Sequence, residues 1–262
     1  MSVDPAAEVT DDAVLGGRLR LLQPRKGHRF GHDAILLAAA VRAQAGGHAI
    51  DLGAGVGCAG LALAARVAGV RVTLVEIDAA LAGLAARNAS RNAMADRVRA
   101  VALDVGAPRE DFERAGLGEA CADRVLMNPP FHAAARTQAS PDAARRLAHI
   151  AAGDSFSHWV RTAARLLRPG GVLTAIYRAD GRAEVLGALE ADFADVKVLP
   201  VHPSPGAPPI RIIVQATRGA GGGVETCEGL CLTDEAGRPS AEAEAILRCA
   251  GALAFNPRSD GG

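Results

Sequence analysis

The stretch His48-Ala49-Ile50-Asp51-Leu52-Gly53-Ala54-Gly55-Val56-Gly57 decides the fold. Its apolar first half reads as a buried strand. The alternating glycines then let the backbone bend sharply and approach a ligand without Cβ clashes. Strand, turn and helix follow one another from here. Leu61 to Val67 reads as a helix, Val70 to Ile77 as a strand, Ala79 to Met94 as a helix, and Val98 to Asp104 and Arg124 to Met127 as strands. Ser157 to Leu167 is again helical and is stopped by Arg168-Pro169-Gly170-Gly171 before the strand Val172 to Tyr177. After the helix Arg182 to Ala191, the strands Val196 to Val201 and Ile210 to Ala216 follow with no helix between them. Alternating β and α with short connections predicts a doubly wound, mostly parallel α/β sheet, with an antiparallel edge strand from the last pair.

The flanks are less regular. Residues 1–17 are acidic and polar and are expected to be a flexible N-terminus. One domain is expected over 18–262: an N-terminal strand and helix over 18–47, a core over 48–218 and a C-terminal extension over 224–250. Arg18 to Pro24 alternates like a half-exposed strand, and Asp33 stands where a cap would precede a helix over Ala34 to Val41. Glu225 to Leu232 reads as a strand and Ser240 to Cys249 as a helix.

Composition bounds the function. The 262 residues suffice for a large core, and 29 basic against 29 acidic side chains leave no net charge. That balance makes no global case for nucleic acid but leaves a local patch open. Lys26 and Lys197 are the only lysines. The five cysteines are scattered, and Cys227 and Cys231 have no partner at zinc spacing, so no metal is expected. Neither an apolar signal core nor a membrane-length run is present, and the expectation is a cytoplasmic protein without membrane contact.

Two clusters carry chemistry. Gly55-Val56-Gly57-Cys58-Ala59-Gly60 fits the dinucleotide pattern, but the carboxylate of Asp51 directly before the glycines would repel a pyrophosphate and welcome a cation. Glu76, closing the second strand, can accept both hydroxyls of a ribose. The other cluster is Asn128-Pro129-Pro130-Phe131, where two prolines end a buried strand. The Asn128 side-chain oxygen and the Pro129 carbonyl can accept both hydrogens of one NH2 group while Phe131 lies against the ring that bears it. Such a clamp suits a nucleobase or an amide.

Together these residues resemble class I S-adenosylmethionine-dependent methyltransferases, whose first motif has the form (D/E)-x-G-x-G-x-G. The resemblance implies a seven-stranded Rossmann-like sheet and S-adenosyl-L-methionine as cofactor. It places the methionine end on Asp51 and the Gly53, Ala54, Gly55 and Gly57 backbone, the ribose on Glu76 and the adenine amino group on Asp104. Asn128-Pro129-Pro130-Phe131 is similar to the (D/N/S)-P-P-(Y/F/W) motif of enzymes that methylate planar amino groups, among them N6-adenine methyltransferases and release-factor glutamine-N5 methyltransferases. Gln23 to Phe30, Asp33 to Ala38, Ile210 to Ala216 and Leu232 to Gly237 resemble the bacterial tRNA1(Val) adenine-37-N6 methyltransferases. That implies an RNA substrate, with tRNA the expected class.

Arg25, Lys26, His28 and Arg29, with Arg136, Arg145 and Arg146, are candidate phosphate contacts on one rim. His132, His149, His158 and Trp159 are assigned ordinary structural roles. The glutamine methyltransferase is the alternative of the same chemistry, and the lack of a separate N-terminal helical substrate domain speaks against it. A non-catalytic cofactor- or RNA-binding module is the alternative of another class.

Overall fold

A computed structural model describes residues 9–25, 29–130 and 156–257. Its centre is β3 (His48–Leu52), flanked on both sides by parallel strands. On one side lie β4 (Arg71–Glu76) and then β5 (Val98–Ala102); on the other lie β6 (Ala122–Met127) and β7 (Leu167–Arg178). Beyond them come β8 (Phe193–His202) and β9 (Arg211–Arg218). The antiparallel strand is β9, which inserts between β7 and β8 and hydrogen-bonds to both. These seven strands run in the order β5-β4-β3-β6-β7-β9-β8. The short strands β10 (Val224–Thr226) and β11 (Leu230–Cys231) pair in parallel with β8, so the stretch read as one strand is two.

The sheet is buried on both faces because its side chains alternate between two cores. Ala49, Leu74 and Leu126 point into the core shared with α1 (His32–Ala40), α2 (Cys58–Arg66), α3 (Ala79–Arg91) and the C-terminal segment. Their neighbours Ile50, Val75 and Met127 point into the other core. That core contains Phe112 of α4 (Arg109–Arg114), the side chains of α5 (Phe156–Leu166) and those of α6 (Arg182–Leu189). A period of two along each strand produces this division, and helices on both faces make near-continuous apolar strands favourable. No described helix is long and apolar enough to cross a membrane.

Register then positions the site. Leu52 pairs with Met127 of β6 on one side and with Val75 of β4 on the other. Gly53, Asn128 and Glu76 therefore leave three adjacent strands at the same level. The order of strands reverses between β3 and β6, which is where open α/β sheets bind ligands.

Two expectations change at the N-terminal side, and one further along the chain. Residues 9–17 are not a loose tail. Val9–Val14 forms β1, which pairs antiparallel with β2 (Leu19–Pro24) through a 3₁₀ turn. Its acidic pair is tied down from remote elements: Asp11 meets Arg20 and Arg91 at 3.2 and 2.7 Å, and Asp12 meets Arg29 at 3.1 Å. Asp33 does not cap α1; Gly31 occupies that position, and Asp33 in the first turn takes Arg211 of β9 at 2.8 Å. Helix α4 was not expected at all. Caps are found at Asp78, which accepts from Ala80 and Leu81 N–H, and at Ser240, which accepts from Ala243 N–H ahead of α7 (Ala241–Cys249).

Candidate active site

The carboxyl ends of β3 and β6 open into a cavity of about 440 Å³. Asp51, Gly53, Ala54 and Gly55 form one wall, and Asn128, Pro129 and Pro130 another. Arg29, Phe30 and Gly31, just before α1, close a third side. The volume falls in the range of small-molecule sites. Phe131 lies outside the described residues, as do Lys26, His28, Arg136, Arg145 and Arg146.

Asp51 is 2% exposed, and its Oδ2 accepts the Gly60 N–H of α2 at 2.8 Å. Burial pushes its carboxyl up to about 7; the Gly60 N–H pulls the other way, and the nearby charge of Glu76 adds to the rise. A buried carboxyl in a cavity wall at this pKa is a strong receptor for a cation, which favours the ionised form. Cys58 lines the same cavity, and burial raises its thiol far above the usual value, so it is no nucleophile.

The glycines have separate tasks. At Gly53, with φ of +69°, a Cβ would stand 2.5 Å from the Trp159 ring of α5. Trp159, assigned no more than a structural role from sequence, is thus the floor beneath the loop. At Gly55, with φ of +56°, a Cβ would meet nothing within 4 Å. Its backbone is open to the cavity and able to meet a ligand closely. Gly57 is left-handed at the N-terminus of α2 and does not line the cavity.

Glu76 and Asp104 stand at the strand ends but outside the cavity wall. Glu76 Oε2 accepts the Gly55 N–H at 2.8 Å and Oε1 the Asp78 N–H at 2.9 Å. Each carboxylate oxygen retains a second lone pair for a hydroxyl. Asp104 Oδ1 accepts the Gly106 N–H at 2.8 Å, within a turn after β5. Ile77, between Glu76 and the cap Asp78, is 60% exposed, an apolar side chain beside the two acids that sequence reasoning passed over.

The acceptor wall differs. Asn128 Oδ1 is buried and has no hydrogen-bond partner among the described residues. Buried amide oxygens are ordinarily paired, and an unpaired one costs free energy on the order of 1–3 kcal/mol. It follows β6 directly and faces the same cavity as the glycine loop. Arg29, a candidate phosphate contact, is held instead by Thr10 Oγ1, the Pro24 carbonyl and Asp12 at 3.0, 2.9 and 3.1 Å. Arg25 is exposed.

A Rossmann-like sheet with a carboxylate and three glycines at β3, an acid closing β4 and Asn-Pro-Pro after β6 defines a class I S-adenosylmethionine-dependent methyltransferase. The residues present fit that cofactor: a buried acid for an ammonium, open glycine backbone and an acid beside an exposed isoleucine. The chain belongs to the methyltransferase small domain family, which matches residues 29–202.

Similarity to curated proteins is lower. A release factor glutamine methyltransferase of Chlorobaculum tepidum is 36% identical over 156 residues, 57% of this chain and 52% of that protein. The chain therefore matches only about half of that relative's length. A tRNA1(Val) (adenine(37)-N6)-methyltransferase of Bacteroides thetaiotaomicron is 27% identical over 191 residues, 72% of this chain and 76% of that one. Among solved structures, a predicted O-methyltransferase of Agrobacterium tumefaciens, Atu636, superposes with a TM-score of 0.72 at 28% identity, over 86% of this chain and 99% of that one.

Proposed function

We propose that the protein is an S-adenosylmethionine-dependent N6-adenine methyltransferase acting on RNA, with a tRNA as the substrate class. The observation that carries this reading is Asn128, which lines the cavity together with the glycine loop and whose buried Oδ1 has no hydrogen-bond partner among the described residues. The cofactor supplies a methyl group on a positively charged sulfur. Asp51 in its ionised form holds the ammonium of the methionine end, with the Gly53, Ala54 and Gly55 backbone alongside and Gly57 setting the turn into α2. Glu76 takes the ribose hydroxyls and Asp104 the adenine amino group.

Asn128 Oδ1 and the Pro129 carbonyl accept the two hydrogens of the acceptor NH2. An amino nitrogen on a ring is a poor nucleophile because its lone pair is delocalised. Two acceptors on its hydrogens draw it towards a tetrahedral geometry and aim the lone pair at the methyl carbon. Pro130 fixes the loop, and Phe131 supplies the stacking face. Catalysis then rests on positioning and fixed dipoles rather than on a strong base, and the methylated nitrogen loses its proton to solvent. An adenine in a single-stranded RNA loop can be splayed out and stacked in this manner.

The same geometry accommodates a protein glutamine amide, and the 36% identity to the Chlorobaculum protein favours that second reading over a shorter segment. Incubation with radiolabelled cofactor separates the two. RNA and release factors are taken from a strain lacking the protein. The proposal expects label in the RNA fraction. Label confined to protein supports the glutamine reading, and label in neither fraction overturns both.

A further inference from the structure

Two buried amides outside the cavity connect its walls. Asn88 of α3 is fully buried. Its Oδ1 accepts the Leu22 N–H at 2.8 Å, and its Nδ2 donates to the Leu22 carbonyl and to the Val56 carbonyl of the glycine loop, each at 3.0 Å. The next residue of β2, Gln23, is 2% exposed. Its Nε2 donates to Asp12 Oδ2 at 2.8 Å, and its Oε1 accepts the Phe30 N–H at 3.2 Å. Asp12 Oδ2 also takes Arg29 Nη2 at 3.1 Å and Thr10 Oγ1 at 2.5 Å. Phe30 packs on the small cluster of Leu22, Val56 and Leu84, and both Phe30 and Val56 line the cavity.

A hydrogen-bonded path thus runs from the glycine loop through Asn88 and β2 to Gln23, and from Gln23 to the wall at Arg29 and Phe30. An apolar side chain would fill the place of Gln23 without a desolvation penalty. What the amide adds is direction: it fixes the Phe30 backbone relative to Asp12. Helix α1 has no side-chain cap at its N-terminus, so the Phe30 N–H just before it is held by Gln23.

We propose that Gln23 is a positioning residue for cofactor binding: through the Phe30 N–H it seats the Phe30 ring in the cavity wall beside Val56, and so sets the fit of that wall to S-adenosylmethionine. This rests on the cofactor reading of the cavity. Gln23→Met keeps the volume and removes both bonds. The dissociation constant of S-adenosylhomocysteine, measured by calorimetry well below the melting temperature, should rise about tenfold, as expected for loss of one net hydrogen bond.

Phe30→Leu should weaken binding similarly, and the double variant should be no weaker than the worse single one. If Gln23→Met does not fold, Gln23→Leu, which likewise removes the acceptor for the Phe30 N–H, carries the same expectation of weakened binding.

Wild-type affinity in a folded Gln23 variant, with or without a lowered melting temperature, overturns the proposal. So does a Gln23→Met loss that adds in full to that of Phe30→Leu. Failure of the wild-type protein itself to bind S-adenosylhomocysteine is a different result: it removes the cofactor reading and this inference with it.

Discussion

The two walls of the cavity are built on opposite plans. On the glycine-loop side every carboxylate is already engaged by backbone: Asp51 by Gly60, and Glu76 by Gly55 and Asp78. On the Asn128 side the decisive oxygen is buried and has no partner among the described residues. A wall that completes its own hydrogen bonds holds its shape before anything arrives, and a ligand there shares groups already in place. A wall that leaves an acceptor unsatisfied gains most when a donor enters it. The first is suited to a cofactor that exchanges at each turnover, the second to holding the reacting amino group. Substitutions on the two sides should therefore affect different constants.

The largest effect is expected at Asn128. Asn128→Ala should lower kcat about 10²–10³-fold, as for loss of one preorganised group at a reacting centre. The dissociation constant for S-adenosylhomocysteine should stay within about threefold of wild type. Equal losses in kcat and cofactor affinity would break the division between the walls. Asp51→Asn should act the other way, weakening cofactor binding about 10–100-fold by removing a charged hydrogen-bonding partner, with a smaller change in kcat at saturation. Calorimetry and initial rates distinguish these cases.

The raised pKa of Asp51 gives a pH dependence with a definite sign. With its carboxyl lifted from 3.8 to about 7, the ligand-free protein holds a proton that the unfolded chain releases. That contribution to stability is fully present below about pH 4 and is lost as pH rises to about 7. If Asp51 holds the ammonium as proposed, binding needs its ionised form, and affinity should fall about tenfold per pH unit below about 7, with proton release on binding. It should also fall above about 8, where an α-amino group loses its charge. Calorimetry in buffers of different ionisation enthalpy reads both, and a flat profile through pH 6 would contradict the assignment.

Smaller effects sharpen the comparison. Gly53→Ala combines a positive φ with a Cβ placed 2.5 Å from Trp159. It should destabilise the fold by about 1–3 kcal/mol, seen as a melting temperature lower by several degrees. Ile77→Ser should weaken cofactor binding only about fivefold, since burying part of one apolar side chain is worth about 1 kcal/mol.

What could be read from the chain follows the same division. That Asp51, Gly53, Ala54, Gly55 and Asn128-Pro129-Pro130 meet at one cavity was legible because it depends on strand ends and backbone freedom, which are local properties; Gly57, Glu76 and Asp104 lie outside its wall. Alternating apolar strands likewise disclosed the parallel sheet. Groups whose partners are remote were not legible. Asn88 meets Leu22 66 positions away, and Trp159 reaches Gly53 across the sheet. Asp11 and Asp12 made residues 9–17 look like a solvated tail because Arg20, Arg29 and Arg91 converge on them only after folding. Helix α4 escaped because Phe112 is the one buried residue in its short charged segment. Asp33 was a plausible cap by type, but Arg211 from the far end of the chain claims its carboxylate.

The most direct test of a methyl-transfer site that joins both walls is mass spectrometry of nucleosides from tRNA incubated with S-adenosylmethionine and the protein. The tRNA is taken from a strain without the protein. N6-methyladenosine should rise with the wild type and stay at background with Asn128→Ala. An unchanged nucleoside profile with wild-type protein that demonstrably binds the cofactor, or a gain that survives Asn128→Ala, would contradict the account.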